Sequence, residues 1–103
     1  MTDGLSNSYR QRIWQALQAC HKVDRAILFG SRAMGNFRPV SDVDLALEGR
    51  DLNLADLLTI LRLVDQSNMP LHVDLVIRDK ISNPDLERHI RDHGREWYSR
   101  QPA

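Results

Sequence analysis

Apolar positions recur along this chain with two periods, and the switches between them mark out its elements. Tyr9, Ile13, Leu17 and Cys20 fall at helical spacing. They predict a helix capped by Ser8 and running to about Lys22, with one apolar stripe bordered by Trp14. Ala26-Ile27-Leu28-Phe29 is an unbroken apolar run and predicts a first strand over about Arg25 to Phe29. Residues 30–41 predict a short helical turn and then a loop, because Pro39 biases Arg38 away from helix. Ser41 to Glu48 and Leu71 to Arg78 are apolar and β-branched and predict the second and third strands. Between them Asn53 caps a helix to about Gln66, which Asn68-Met69-Pro70 breaks. Asn83 caps a last helix with Pro84 at its first position, where the missing N–H costs nothing. That helix runs to about His93, and Gly94 stops it.

The pattern describes an α/β (α+β) chain without repeats or linkers. At 103 residues it is expected to form one domain over 1–103, with the polar residues 1–7 frayed. Leu54, Leu57, Leu58, Leu61 and Val64 trace one face of the Asn53 helix, and Leu52, Ile60 and Leu63 widen it. So broad an apolar surface predicts a well-buried helix, with a contact in an oligomer as the alternative. Cys20 and the terminal Trp97 and Tyr98 are expected to pack on the core. Arg88, Arg91, Asp92, Arg95 and Glu96 alternate in sign, as on an exposed helix.

Against that background three aspartates stand out. Asp42 and Asp44 lie in Ser41-Asp42-Val43-Asp44-Leu45-Ala46-Leu47, and Asp74 in Leu71-His72-Val73-Asp74-Leu75-Val76-Ile77. A buried strand does not accept ionised carboxylates unless they are paired or bound to a cation. An exposed Ser-Asp turn would explain Asp42, but not Asp44 between Val43 and Leu45. Strand period places Asp42 and Asp44 on one face. If the Asp74 strand lies alongside, three carboxylates converge and repel one another until a divalent cation neutralises them. Oxygen ligands favour a hard ion, Mg²⁺ or Mn²⁺.

Upstream, the first strand runs into Gly30-Ser31 and then a helical turn. Backbone N–H groups at such a junction form a phosphate site, which Gly30 lets a phosphate approach and Ser31 can serve with its hydroxyl. Phosphate donors and metal-binding carboxylates within fifteen residues describe a nucleoside-triphosphate site. Arg32 and Arg38 flank the loop and can pair with phosphate oxygens, and Ser41 can steady Asp42 or the nucleotide. His72 shares the face of Asp74 and fits an ordinary polar-face strand residue. His89 and His93, four apart on the last helix, make too small a ligand set and fit a solvated face.

Gly30-Ser31, ten intervening residues and Asp42-Val43-Asp44 together resemble the Gly-Ser-x10-Asp-x-Asp motif of the polymerase β-like nucleotidyltransferase superfamily. The string Gly30-Ser31-Arg32-Ala33-Met34-Gly35 followed by Ser41-Asp42-Val43-Asp44-Leu45 is similar to the minimal nucleotidyltransferases (MNT). These are small prokaryotic proteins usually encoded beside a HEPN-domain protein. Asp74 matches the family's third carboxylate, and Ile90 to Tyr98 resembles its closing helix and Gly-x-x-x-Tyr end. The likeness covers roughly residues 10–98. It implies a nucleotidyltransferase fold, a small mixed β-sheet with helices mainly on one face. It also implies two Mg²⁺ ions at catalytic Asp42, Asp44 and Asp74, and ATP as donor. Asp42 and Asp44 would bridge both ions, while Asp74 would hold the ion at the attacking hydroxyl and accept its proton. The implied acceptor is a hydroxyl of a HEPN-domain toxin, with this chain as antitoxin.

Net charge is zero, with 14 basic and 14 acidic side chains, so the basic excess of a nucleic-acid binder is absent and no direct nucleic-acid binding is expected. A single cysteine, a polar start and no long apolar stretch predict a cytoplasmic protein away from membranes. Two other readings keep the fold. One is a non-catalytic antitoxin that neutralises its partner by binding. The other is a transferase acting on a small molecule such as an aminoglycoside, for which the chain lacks a second domain.

Overall fold

A computed structural model describes residues 3–100. Its order is α1 (Asn7–Gln18), β1 (Val23–Phe29), a single turn α2 (Ser31–Met34), β2 (Val43–Gly49), α3 (Leu54–Gln66), β3 (Val73–Ile77), a 3₁₀ turn (Arg78–Lys80), α4 (Pro84–His93) and β4 (Arg95–Ser99). The four strands form one mixed sheet in the order β3-β2-β1-β4. β2 and β3 run parallel, joined by the α3 crossover, while β1 pairs antiparallel with β2 and with β4.

Alternation along the strands divides the apolar residues between two faces. Ala26 and Leu28 of β1 and Val43, Leu45 and Leu47 of β2 meet Ile13 and Leu17 of α1 and Leu57, Ile60 and Val64 of α3 in the main core. Ile27, Phe29 and Ala46 point the other way and are covered by Ile90 of α4, with Val76, Ile81 and Leu86 around them. The two long helices thus share one face, and the short, strongly amphipathic α4 crosses the other.

Three local expectations are corrected. Of the residues expected to fray, 1 and 2 lie outside the described residues, and residues 3–6 are held down. Asp3 is buried and accepts from the Trp97 indole Nε1 at 2.8 Å, from Arg10 Nη2 at 2.7 and 2.8 Å and from the Leu5 N–H at 3.0 Å. Ser6, not Ser8, caps α1 by accepting the Tyr9 N–H at 3.2 Å. α3 is not buried around its apolar circumference: Leu57, Ile60 and Val64 face the core, while Leu54 and Leu58 are 67% and 53% exposed. Its capping is as expected, with Asn53 and Asp56 bonding each other's backbone N–H at 3.1 and 3.0 Å.

The chain's end also differs. Arg95 and Glu96 belong to β4, not to a helix. Gly94 ends α4, its N–H reaching Ile90 O at 2.8 Å, and the chain turns straight into the edge of the sheet. There Trp97 and Tyr98 are buried, and both rings meet Trp14 edge-on at 6.3 and 5.6 Å. No helix among the described residues is long and apolar enough to cross a membrane.

Candidate active site

The parallel register of β2 and β3 builds the site. Val43 pairs with Val73 and Asp44 with Asp74, so both carboxylates emerge on the α4 face of the sheet. Asp42 precedes β2 by one residue and His72 precedes β3 by one, and the Val43 N–H to His72 O bond at 2.9 Å holds the two strand entries together. Asp42, His72 and Asp74 bring one ligand atom each within 4.8 Å of one another, all three exposed. His72 Nε2 sits 2.9 Å from Asp74 Oδ1. His72 is exposed, as a polar-face residue should be, but it is also a member of the acidic cluster.

The carboxylates therefore do not sit inside buried strands. Asp42 and Asp74 reach solvent where β2 and β3 begin, and only Asp44 is partly buried. Its carboxylate lies against Gly30, just past the end of β1, and occupies the space where a side chain at Gly30 would lie. Burial pushes the Asp44 carboxyl above the ordinary carboxylate range. The charges of Asp74 and Asp42 add to the rise, and His72 and His89 act in the opposite sense. An oxygen-rich set of three carboxylates fits a hard divalent cation, and the donors here suit Mg²⁺ or Mn²⁺.

Gly30 joins β1 to α2 with φ 76° and ψ −156°. That backbone region is open essentially to glycine alone, and it clusters at functional sites. Ser31 follows as the first residue of α2, partly exposed, and on the other side of Gly30 Phe29 pairs with Asp44 across the ladder. The loop and the acidic cluster thus share one end of the sheet.

The flanking arginines divide. Arg38 is exposed and its backbone N–H donates to Ser41 Oγ at 2.7 Å. Ser41 is thereby engaged in its own loop, one residue before Asp42. Arg32 is a correction: it is 1% exposed and turns inward rather than toward a phosphate. Its guanidinium donates to the carbonyls of Ser41 at 2.9 and 3.1 Å, Asp3 at 2.9 Å and Pro39 at 3.1 Å. It braces the loop that leads into Asp42.

His89 is also corrected, from solvated helix face to site neighbour. It is half-buried, and its Nε2 accepts the Gly30 N–H at 3.0 Å. Only the placement of α4 over the sheet brings it there, and the sequence offers no local signal for that placement. His93 stays exposed beside it, ring centroids 5.3 Å apart.

Residues 11–103 match the family model described as polymerase beta, nucleotidyltransferase. No curated protein matches the chain significantly. Among solved structures, a toxin–antitoxin complex with AMP-PNP is similar with a TM-score of 0.71 and 22% identity, over 89% of this chain and 74% of that one. The complex of a tri-AMPylated Shewanella oneidensis HEPN toxin with MNT antitoxin gives a TM-score of 0.68 and 18% identity, over 93% and 74%. A structure described as a minimal nucleotidyltransferase gives 0.66 and 24%, over 92% and 95%.

Proposed function

This chain belongs to the polymerase beta nucleotidyltransferase family, and on that premise we propose that it moves a nucleoside monophosphate, AMP from ATP, onto a hydroxyl of a partner protein. The observation that carries the reading is the in-register pairing of Asp44 with Asp74 beside Asp42, facing the Gly30–Ser31 loop. The partner is a HEPN-domain toxin, in line with the toxin–antitoxin complexes to which the fold is similar, and the chain is its antitoxin.

Asp42, Asp44 and Asp74 hold divalent cations, and His72 steadies Asp74. Bound Mg²⁺ supplies charge neutralisation at the phosphates and acidity at the attacking hydroxyl. Gly30 and Ser31 receive the triphosphate. The acceptor oxygen attacks the α-phosphorus and a new P–O bond forms. The bond to the bridging oxygen breaks and pyrophosphate leaves with that electron pair. Asp74 takes the hydroxyl proton. Arg32 lies outside this chemistry and holds the Ser41–Asp42 turn in place.

Intact mass of the HEPN-domain protein encoded beside this chain tests the reading, after incubation with the chain, Mg²⁺ and each nucleoside triphosphate in turn. The expected result is a nucleotidyl increment from ATP that vanishes with Asp42→Asn and Asp44→Asn. A stable complex with no increment would replace transfer by neutralisation through binding. An increment on an aminoglycoside instead would move the acceptor to a small molecule.

A further inference from the structure

His89 has no part in the transfer proposed above, yet among the described residues it makes the one side-chain hydrogen bond to the Gly30 peptide. Two contacts over-determine that unusual peptide: Asp44 packs where a side chain would project, and His89 holds the N–H. His89 is itself delivered by a fixed element. Asn83 caps α4 by accepting the Asp85 N–H at 2.8 Å, Arg78 binds Glu87 at 3.1 Å, and Ile90 is buried against Ile27, Phe29 and Ala46. The His89 ring also meets Phe29 edge-on, centroids 6.1 Å apart.

We propose that His89 is a positioning residue of the nucleotide site: a neutral imidazole, protonated on Nδ1, that orients the Gly30 peptide and so sets Ser31 against Asp44. An N–H can donate only to a ring nitrogen carrying a lone pair, so Nε2 must be bare and the ring proton must sit on Nδ1. The role rests on the reading of Gly30–Ser31 as the triphosphate loop; the tautomer does not. A histidine that merely packs α4 onto the sheet has no need of either tautomer, and its loss does not reach nucleotide affinity once folding is intact.

Two measurements on the full chain separate these. Long-range ¹⁵N–¹H correlation of the histidine rings is expected to show Nε2 of His89 unprotonated. The Gly30 amide is expected to shift in His89→Ala and to stay put in His93→Ala. A proton on Nε2 overturns the proposal. Calorimetric titration with Mg²⁺ and AMP-PNP is expected to show His89→Ala weakened about tenfold or more, in the range for partners that orient a ligand-binding group. His89→Gln, whose Oε1 can accept the same N–H, is expected to recover most of that loss, with thermal melts confirming that each variant is folded. Equal affinities for wild type, His89→Ala and His89→Gln overturn the positioning role. A wild-type chain that binds no nucleotide while Nε2 is bare would overturn both the proposed function and the role built on it, and would uphold the tautomer.

Discussion

At the residue scale Gly30 and Asp44 of the candidate site need each other. A methyl group at Gly30 would meet the Asp44 carboxylate, and the φ of 76° is strained for any L side chain. Gly30→Ala is expected to cost at least about 1–3 kcal/mol in urea unfolding, the usual cost of holding such a backbone region. It is also expected to abolish nucleotidyl transfer. Asp44 offers a cleaner separation of stability from function. Its carboxyl titrates above its unfolded value, so the folded state binds that proton more tightly than the unfolded chain does. The ionised form therefore costs stability at neutral pH, and the cost disappears as pH falls through the raised value. Asp44→Asn, of the same shape and uncharged, is expected to raise the melting temperature at pH 7 while removing transfer. If Asp44 holds Mg²⁺ as proposed, the same rise would make the ion displace a proton from Asp44 at a pH where an ordinary aspartate is already bare. Metal affinity, followed calorimetrically, is expected to begin falling on acidification above the ordinary carboxylate range.

At the element scale the instructive cases are α3, β4 and the N-terminal segment. α3 was legible in its limits, since Asn53 and Asp56 form the capping pair, but not in its orientation. Five leucines around a helix do not say which turn inward; the crossover between β2 and β3 decides, and it chose Leu57, Ile60 and Val64. Leu57→Ala is therefore expected to cost about 2–5 kcal/mol, whereas Leu58→Gln is expected to stay within about 0.5 kcal/mol, both by urea titration. β4 was missed because Arg95 and Glu96 continue the alternating charges of α4, and only two of its five residues are buried. Strand pairing with β1 supplied what local pattern did not. The N-terminal segment was hidden for a similar reason: Asp3 is polar in sequence but finds a partner, Trp97, 94 residues away. Burial works against its ionisation, yet bonds from the Leu5 N–H, the Trp97 indole and Arg10 outweigh that and hold the carboxyl below its usual range. A lowered carboxyl contributes stability above its unfolded value and loses it as pH falls through the folded one. Asp3→Ala is expected to cost about 1–3 kcal/mol at pH 7, because it leaves the buried indole N–H unpaired. The difference from wild type should close only at strongly acidic pH.

At the scale of the whole molecule, the motif residues were readable because strand period, spacing and residue type all pointed one way. Gly30, Ser31, Asp42, Asp44 and Asp74 do lie at one end of the sheet, as two parallel strands in register require. What the sequence concealed were roles set by tertiary placement. Arg32 looked like a phosphate ligand because it follows Gly30-Ser31, but four hydrogen bonds to backbone carbonyls turn it into the core. His89 looked solvated because α4 is polar, until the sheet's second face brought it to Gly30.

The inward turn of Arg32 has a practical consequence for handling the protein. One guanidinium grips Asp3 and Ser41 beside the acidic cluster, so the first described residues are wired to the candidate site. An expression tag spliced in place of Asp3 and its neighbours would work like a loosened tent peg, slackening the Ser41–Asp42 turn from the far side of the molecule. A preparation lacking activity should be suspected at its first few residues before its aspartates are blamed.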